Sequence, residues 1–221
     1  MRRTITMVVT VKAYPAISSR YGETVCVMGV RTDTPEPAWV RLYPVAYRDL
    51  EYSRRFAKYQ RVTLDVVDAS DPRPESVKPI LDSLHLGDRL GTADAWRERR
   101  RLVEPLMLAS MCELRELQRS ERRSLGVFRP AAVDDLIIEH EPAPRRPDRQ
   151  AVADQASLFF PGKTGLEKIP YRFAFVYHCA EASCPGHEQT IVDWEIAQLY
   201  RTLRDRGDAE HVVLSLSLIH I

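Results

Sequence analysis

Residues 4–11 alternate apolar and polar side chains and are rich in β-branched types, a period of two that predicts a strand with one buried face. The same reading predicts strands over residues 23–31, 38–43 and 59–68, with a loop at 14–22. Turns rich in Pro and Asp, at residues 32–37 and 70–74, punctuate them. The first three strands make a compact meander.

At Thr92 the character changes. Residues 95–103 are Arg-rich, and Pro105 separates them from a longer helical pattern over 106–123. On that second helix Arg115, Arg119, Arg122 and Arg123 fall at i, i+4, i+7 and i+8, one basic stripe with Glu113, Glu116 and Glu121 interleaved. Such a stripe is expected to be a solvated face with internal ion pairs, and it is also a candidate for contacts to nucleic acid. Residues 124–130 and 133–140 predict two short strands, and 141–168 a long loop, with three prolines and three arginines in its first ten residues. Lys163 follows Phe159-Phe160-Pro161-Gly162, which lacks the spacing of a phosphate loop.

Residues 169–179 alternate again and predict a strand that ends on a cysteine. The clearest chemistry in the chain begins at that cysteine: Cys179, Cys184 and His187 stand in a Cys-x4-Cys-x2-His spacing with Pro185-Gly186 as the turn. These are soft or borderline ligands suited to zinc in a knuckle. A fourth is not fixed by the spacing. His178 adjoins Cys179, but neighbours on a strand point to opposite faces, so both ligate only where the strand has broken. Cys112, Cys26, His140 and His211 are donors available from a distance, and an open position filled by water would make the site catalytic, with Glu188 as its general base. The order of ligands is inverted relative to the zinc deaminases, so that family is set aside.

A helix is expected directly after this knuckle. Val192, Ile196, Leu199, Tyr200 and Leu203 share one face, Thr190 and Asp193 read as a capping pair, and Trp194 falls opposite the core stripe, where it needs cover. Asp193 and Glu195 stand roughly 200° apart on such a helix, so they do not serve one metal together.

Composition adds limits. Hydrophobic residues at 44% and charged residues at 29% are ordinary for a globular protein, and the formal charge of +1 means that any basic surface must be local. The four cysteines stand without a secretory signal or a long apolar span, so a cytoplasmic, reducing compartment with no membrane association is expected, and there metal or free thiol is favoured over disulfide. Residues 214–221, Leu-Ser-Leu-Ser-Leu-Ile-His-Ile, resemble the translated sequencing-adaptor tail found at broken ends of metagenomic reading frames, so His220 is not counted as a ligand and the natural chain is expected to continue.

Val25-Cys26-Val27-Met28-Gly29-Val30, a turn, and Trp39-Val40-Arg41-Leu42-Tyr43-Pro44-Val45 resemble the opening of the bacterial dual OB-containing domain proteins, a Cys-Val-x-Gly strand followed by a Trp-Ile/Val-Arg-x-x-Pro strand. Leu42-Tyr43 stands where that family tends to place Pro-Val, and the likeness covers about the first seventy residues. It implies a small β-barrel and an association with nucleic acid and mobile-element conflict. The expected architecture is therefore α+β: an OB-like barrel over 1–91, a helical insertion over 92–123, a β-rich region with strand, zinc knuckle and helix over 124–213, and the tail. The expected function is a zinc-stabilised module for single-stranded nucleic acid, through Trp39, Arg41, Tyr43 and Arg48 with Arg115, Arg119 and Arg122. A metal-dependent hydrolase or nuclease and a protein-binding adaptor are the alternatives.

Overall fold

The computed structural model describes residues 1–18, 20–140 and 169–205. The expected long loop, Lys163, His211 and the terminal tail lie outside these residues. The chain divides into two compact units, Met1–Lys12 with Thr24–Arg129, and Ala13–Glu23 with the residues from Pro130 onward. The content is mixed α+β.

In the first unit β1 (Arg3–Lys12), β3 (Gly22–Arg31), β4 (Ala38–Val45), β5 (Gln60–Asp68) and β6 (Ser76–Arg89) run in the order β1-β5-β6-β4-β3, and a further pairing of β1 with β3 closes them into a ring. All neighbours are antiparallel except β4 and β6. The predicted alternation explains the interior: Val62, Leu64 and Val66 from β5 meet Ile5 and Met7 from β1, and all are buried. Each such side chain contributes about 1.5–3 kcal/mol by leaving water. Val40 and Leu42 do the same from β4, although there Arg41 between them is buried as well. Gly29 sits where β3 meets β1, and a Cβ there would collide with Met7 Cε and the Val8 carbonyl, so only glycine allows the strands to approach this closely.

β6 is a strand of 14 residues that the alternation did not announce. Pro79 interrupts its pattern, and the strand tolerates it because the register to β5 shifts nearby, between Thr63 and Asp65. Residues 124–130, predicted as a strand, form no ladder; an isolated bridge from Val127 to Met107 is their β pairing. The first helix, α1 (Ala93–Val103), opens on Asp94, Ala95 and Trp96 in left-handed conformation, so its right-handed turns start later than Thr92 suggested. The second, α2 (Met111–Glu121), begins five residues beyond the predicted start, where the Ser110 side chain accepts the Glu113 N–H at 3.1 Å. No residue of α2 is buried, and Arg119 pairs locally with Glu116 at 3.0 Å.

The second unit holds the short β2 (Ala16–Ser18) and an antiparallel sheet in the order β7-β8-β9, built from β7 (Ala132–His140), β8 (Tyr171–His178) and β9 (His187–Thr190). Helix α3 (Trp194–Asp205) packs Ile196 against Phe173, with Leu136, Ile138, Leu199, Tyr200 and Leu203 around them. The predicted apolar stripe is thus the core, except Val192, which precedes the helix and is exposed. The expectation of a helix directly after the knuckle is corrected: β9 intervenes, because His187–Thr190 pairs with β8. Thr190 therefore belongs to a strand, and Asp193 is the cap, its Oδ1 accepting the Glu195 N–H at 2.9 Å. Trp194 stacks edge-on against Tyr14, ring centroids 6.2 Å apart, which supplies cover from within the same unit. No helix among the described residues is long and apolar enough to cross a membrane.

Candidate metal centre

β8 ends at His178, and the chain turns through residues 179–186 before β9 brings His187 opposite Tyr177. Within the turn the Cys184 N–H donates to the Glu181 carbonyl at 3.0 Å, and Gly186 takes φ +78°, a left-handed conformation that a residue with Cβ adopts only under strain. The Pro-Gly pair read from the sequence is what folds the chain back.

That fold-back converges three donors. Cys179 and His187 are buried and Cys184 is half-buried. The Cys184 thiol lies 3.3 Å from His187 Nε2 and accepts the Cys179 backbone N–H, also at 3.3 Å. The two sulfurs and the imidazole present ligand atoms within 4.8 Å of one another. A tetrahedral ion with bonds of about 2.3 Å to sulfur and about 2.0 Å to nitrogen has ligand edges of roughly 3.5–3.8 Å, so these atoms stand close to the spacing one ion needs. An amide N–H aimed at the sulfur is the outer-shell contact that orients a metal thiolate. The Tyr177 ring flanks the imidazole at 5.4 Å between centroids. The arrangement is a candidate metal-binding clasp at the turn end of the β8–β9 hairpin.

Two further residues proposed from sequence do not join it. His178 points away, its Nδ1 3.0 Å from Asp134 Oδ2, and the carboxylate raises the imidazole above its ordinary pKa. The strand has not broken at His178, so the alternation of faces holds. Glu188 follows buried His187 on β9 and emerges on the opposite face, where its carboxylate pairs with Arg172 at 2.6 Å. It is turned away from the donors, and the role of general base there is corrected on that ground. Arg172 also pairs with Glu139 at 2.8 Å, an ionic rung across three strands that becomes visible only once their register is known.

The candidates for nucleic acid are spread more widely. Trp39, Arg41 and Tyr43 alternate along β4 and share its outer face. Trp39 lines a groove of about 510 Å³ with Pro37, Pro105, Leu108 and Leu125. Arg41 does not present its charge to solvent: its guanidinium is buried, 2.9 Å from Asp71 and 3.2 Å from Ser76 Oγ, and it lies over the Tyr43 ring at 4.9 Å. Asp71 in turn holds Arg73 at 2.5 Å, and that bond, with Arg41 beside it, keeps the Asp71 carboxyl well below the usual range. Behind this network burial pushes the Cys26 thiol up. Arg48 is half-buried, with its carbonyl taken by Arg55 at 2.9 Å. Arg115 and Arg119 are exposed on α2, while Arg122 is the left-handed residue that ends the helix and so leaves the stripe.

Comparison with known proteins matches the two halves of the chain separately. Residues 3–105 match a domain of unknown function, DUF8758, and residues 107–216 match a second, DUF8757. The five ring strands fall inside the first match, and Cys112, Cys179, Cys184 and His187 all fall inside the second. No curated protein and no solved structure matches the chain.

Proposed function

We propose that this chain is a zinc-stabilised binding module whose ring of strands takes single-stranded nucleic acid. Two thiols and an imidazole suit zinc and are poor ligands for the hard cations magnesium and calcium. The observation that carries the nucleic-acid reading is the order of the ring: five strands, antiparallel throughout except for β4 beside β6, closed by β1 against β3. That order supports an OB-type barrel, a class that takes oligonucleotides on the face of its second and third strands. Those strands here are β3 and β4, and half-buried Trp39 and Tyr43 stand on the outer face of β4 as stacking surfaces.

A second reading, a protein-binding adaptor, is favoured by the groove beside Trp39, whose lining is apolar apart from Glu36, Glu75 and Arg123. Two carboxylates against one guanidinium repel a phosphate backbone and accept an apolar peptide.

Fluorescence anisotropy of a labelled single-stranded oligonucleotide separates the two. Binding that weakens as salt rises, and weakens further in Trp39→Ala, supports the nucleic-acid module. Absence of binding at low salt removes it and leaves the adaptor.

A further inference from the structure

We infer that the groove beside Trp39 docks a short extended segment of a partner protein, one that carries apolar side chains together with a lysine or arginine; this rests on the adaptor reading above and deepens it. The described residues that line the groove, between Glu36 and Gly126, all belong to the first unit.

The groove is preformed. One wall is the start of β4, where Ala38 and Trp39 run past the pairing with β6, which covers Arg41 and Leu42. Residues 105–108 and 123–126 make the rest, and backbone contacts tie these two stretches together: the Leu108 N–H donates to the Val127 carbonyl at 2.8 Å, and Met107 bridges Val127. Gly126 lets them close, since a Cβ there would lie 2.7 Å from Leu108 Cδ1 and 3.1 Å from Leu114 Cδ1. The Ser124 N–H donates to Glu75 Oε1 at 2.7 Å, which joins the second stretch to the residues before β6. A surface held in this way loses little freedom when it is filled.

Size and charge define the occupant. A volume of about 510 Å³ lies in the range that encloses a drug-sized ligand, room for a few side chains and not for a long helix. Ala38 and Trp39 extend beyond β6, so a segment in extended conformation has a strand to lie along. Half-buried Trp39 and Met107, which is 45% exposed, offer an indole and an adaptable thioether to apolar side chains. Negative charge dominates the lining: Glu36 is exposed and Glu75 half-buried, whereas Arg123 is engaged by Glu121 at 2.7 Å. Arg41, two residues along β4 from Trp39, and Arg73, beside Pro74, are both held by Asp71. A cationic side chain on the occupant complements these carboxylates, and a phosphate chain does not.

The test uses the full chain. Short random peptides displayed on phage are selected against it, and the enriched sequences are synthesised with a label and titrated by fluorescence anisotropy. They are expected to combine apolar residues with Lys or Arg and to lack Asp and Glu. Glu36→Lys and Met107→Ala, both at exposed side chains, are each expected to weaken binding by about threefold or more, with thermal midpoints like that of the parent. Peptides that lose affinity in Met107→Ala but carry no basic residue and ignore Glu36→Lys overturn the charge assignment and leave the adaptor reading standing. A selection that yields no peptide sensitive to either variant overturns both. A single-stranded oligonucleotide that binds more tightly to Glu36→Lys, with no such peptide selected, overturns the proposal and assigns the groove to nucleic acid.

Discussion

The Cys184 thiol and His187 Nε2 stand 3.3 Å apart across a turn of two residues, Pro185 and Gly186, so the hairpin that joins β8 to β9 is also what assembles the donors. Metal affinity and hairpin geometry are one property here. Cys184→Ser is expected to lower zinc affinity by more than about 100-fold, the upper end of what outer-shell changes cost. Zinc content after dialysis checks it, and stoichiometric zinc in the variant would refute it.

Gly186→Ala isolates the backbone contribution. Nothing lies within 4 Å of the added Cβ, so its cost comes from φ +78° alone, about 1–2 kcal/mol. Denaturant unfolding of the zinc form should show that loss, with weaker zinc binding beside it.

Glu188→Gln is expected to leave zinc content unchanged, because the carboxylate faces Arg172 on the far side of β9. Loss of metal in this variant would mean that Glu188 reaches the ion after all.

Gly29→Ala tests the closure of the ring. The new methyl meets Met7 Cε and the Val8 carbonyl, and overpacking of this kind costs about 1–3 kcal/mol. A thermal midpoint equal to that of the parent would contradict the close approach of β3 and β1.

Asp71 gives a dependence on pH with a defined sign. Its folded pKa is depressed, first by Arg73 and then by Arg41, so its contribution is fully present above the unfolded carboxylate range and is lost as pH falls through the folded value. Asp71→Asn should therefore destabilise the protein by about 1–3 kcal/mol at neutral pH, where the buried Arg41 loses its charged partner. That difference should shrink as the pH is lowered from about 4, where unfolded aspartates take up protons. Urea midpoints of the two proteins across acidic pH provide the comparison, and a constant gap would contradict the assignment.

Much of the frame was legible from alternation. β5 keeps a period of two because one face is buried in the ring, whereas β1 and β4 keep it only in part, with consecutive buried residues at Met7 to Thr10 and Val40 to Leu42, and Ile196, Leu199, Tyr200 and Leu203 declare the inner face of α3 for the corresponding helical reason. β6 was hidden because Pro79 and a register shift break its pattern, and pairing with two neighbours overrides the local signal. The three candidate donors of the second unit, Cys179, Cys184 and His187, were legible from spacing. The direction of Glu188 was not, because it depends on residues 187–190 being strand, which four polar side chains give no apolar pattern to show. Arg41 was legible as a charge and illegible as a buried one, since its partner Asp71 lies 30 residues away.

The segment Ala13–Glu23 leaves the ring between β1 and β3, yet it is tied to the far end of the chain: the Tyr14 N–H donates to the Val192 carbonyl at 2.7 Å, and the Tyr14 hydroxyl accepts from Arg201, 187 residues later. During synthesis this segment emerges near the beginning and its partners near the end. The chain must be made at least as far as Arg201 before these contacts of the second unit can form, a connection of high contact order. The seam between the two matched domains, between residues 105 and 107, is thus a poor place to cut. A fragment starting there would keep every donor of the clasp and lose the Tyr14 side chain that covers Trp194.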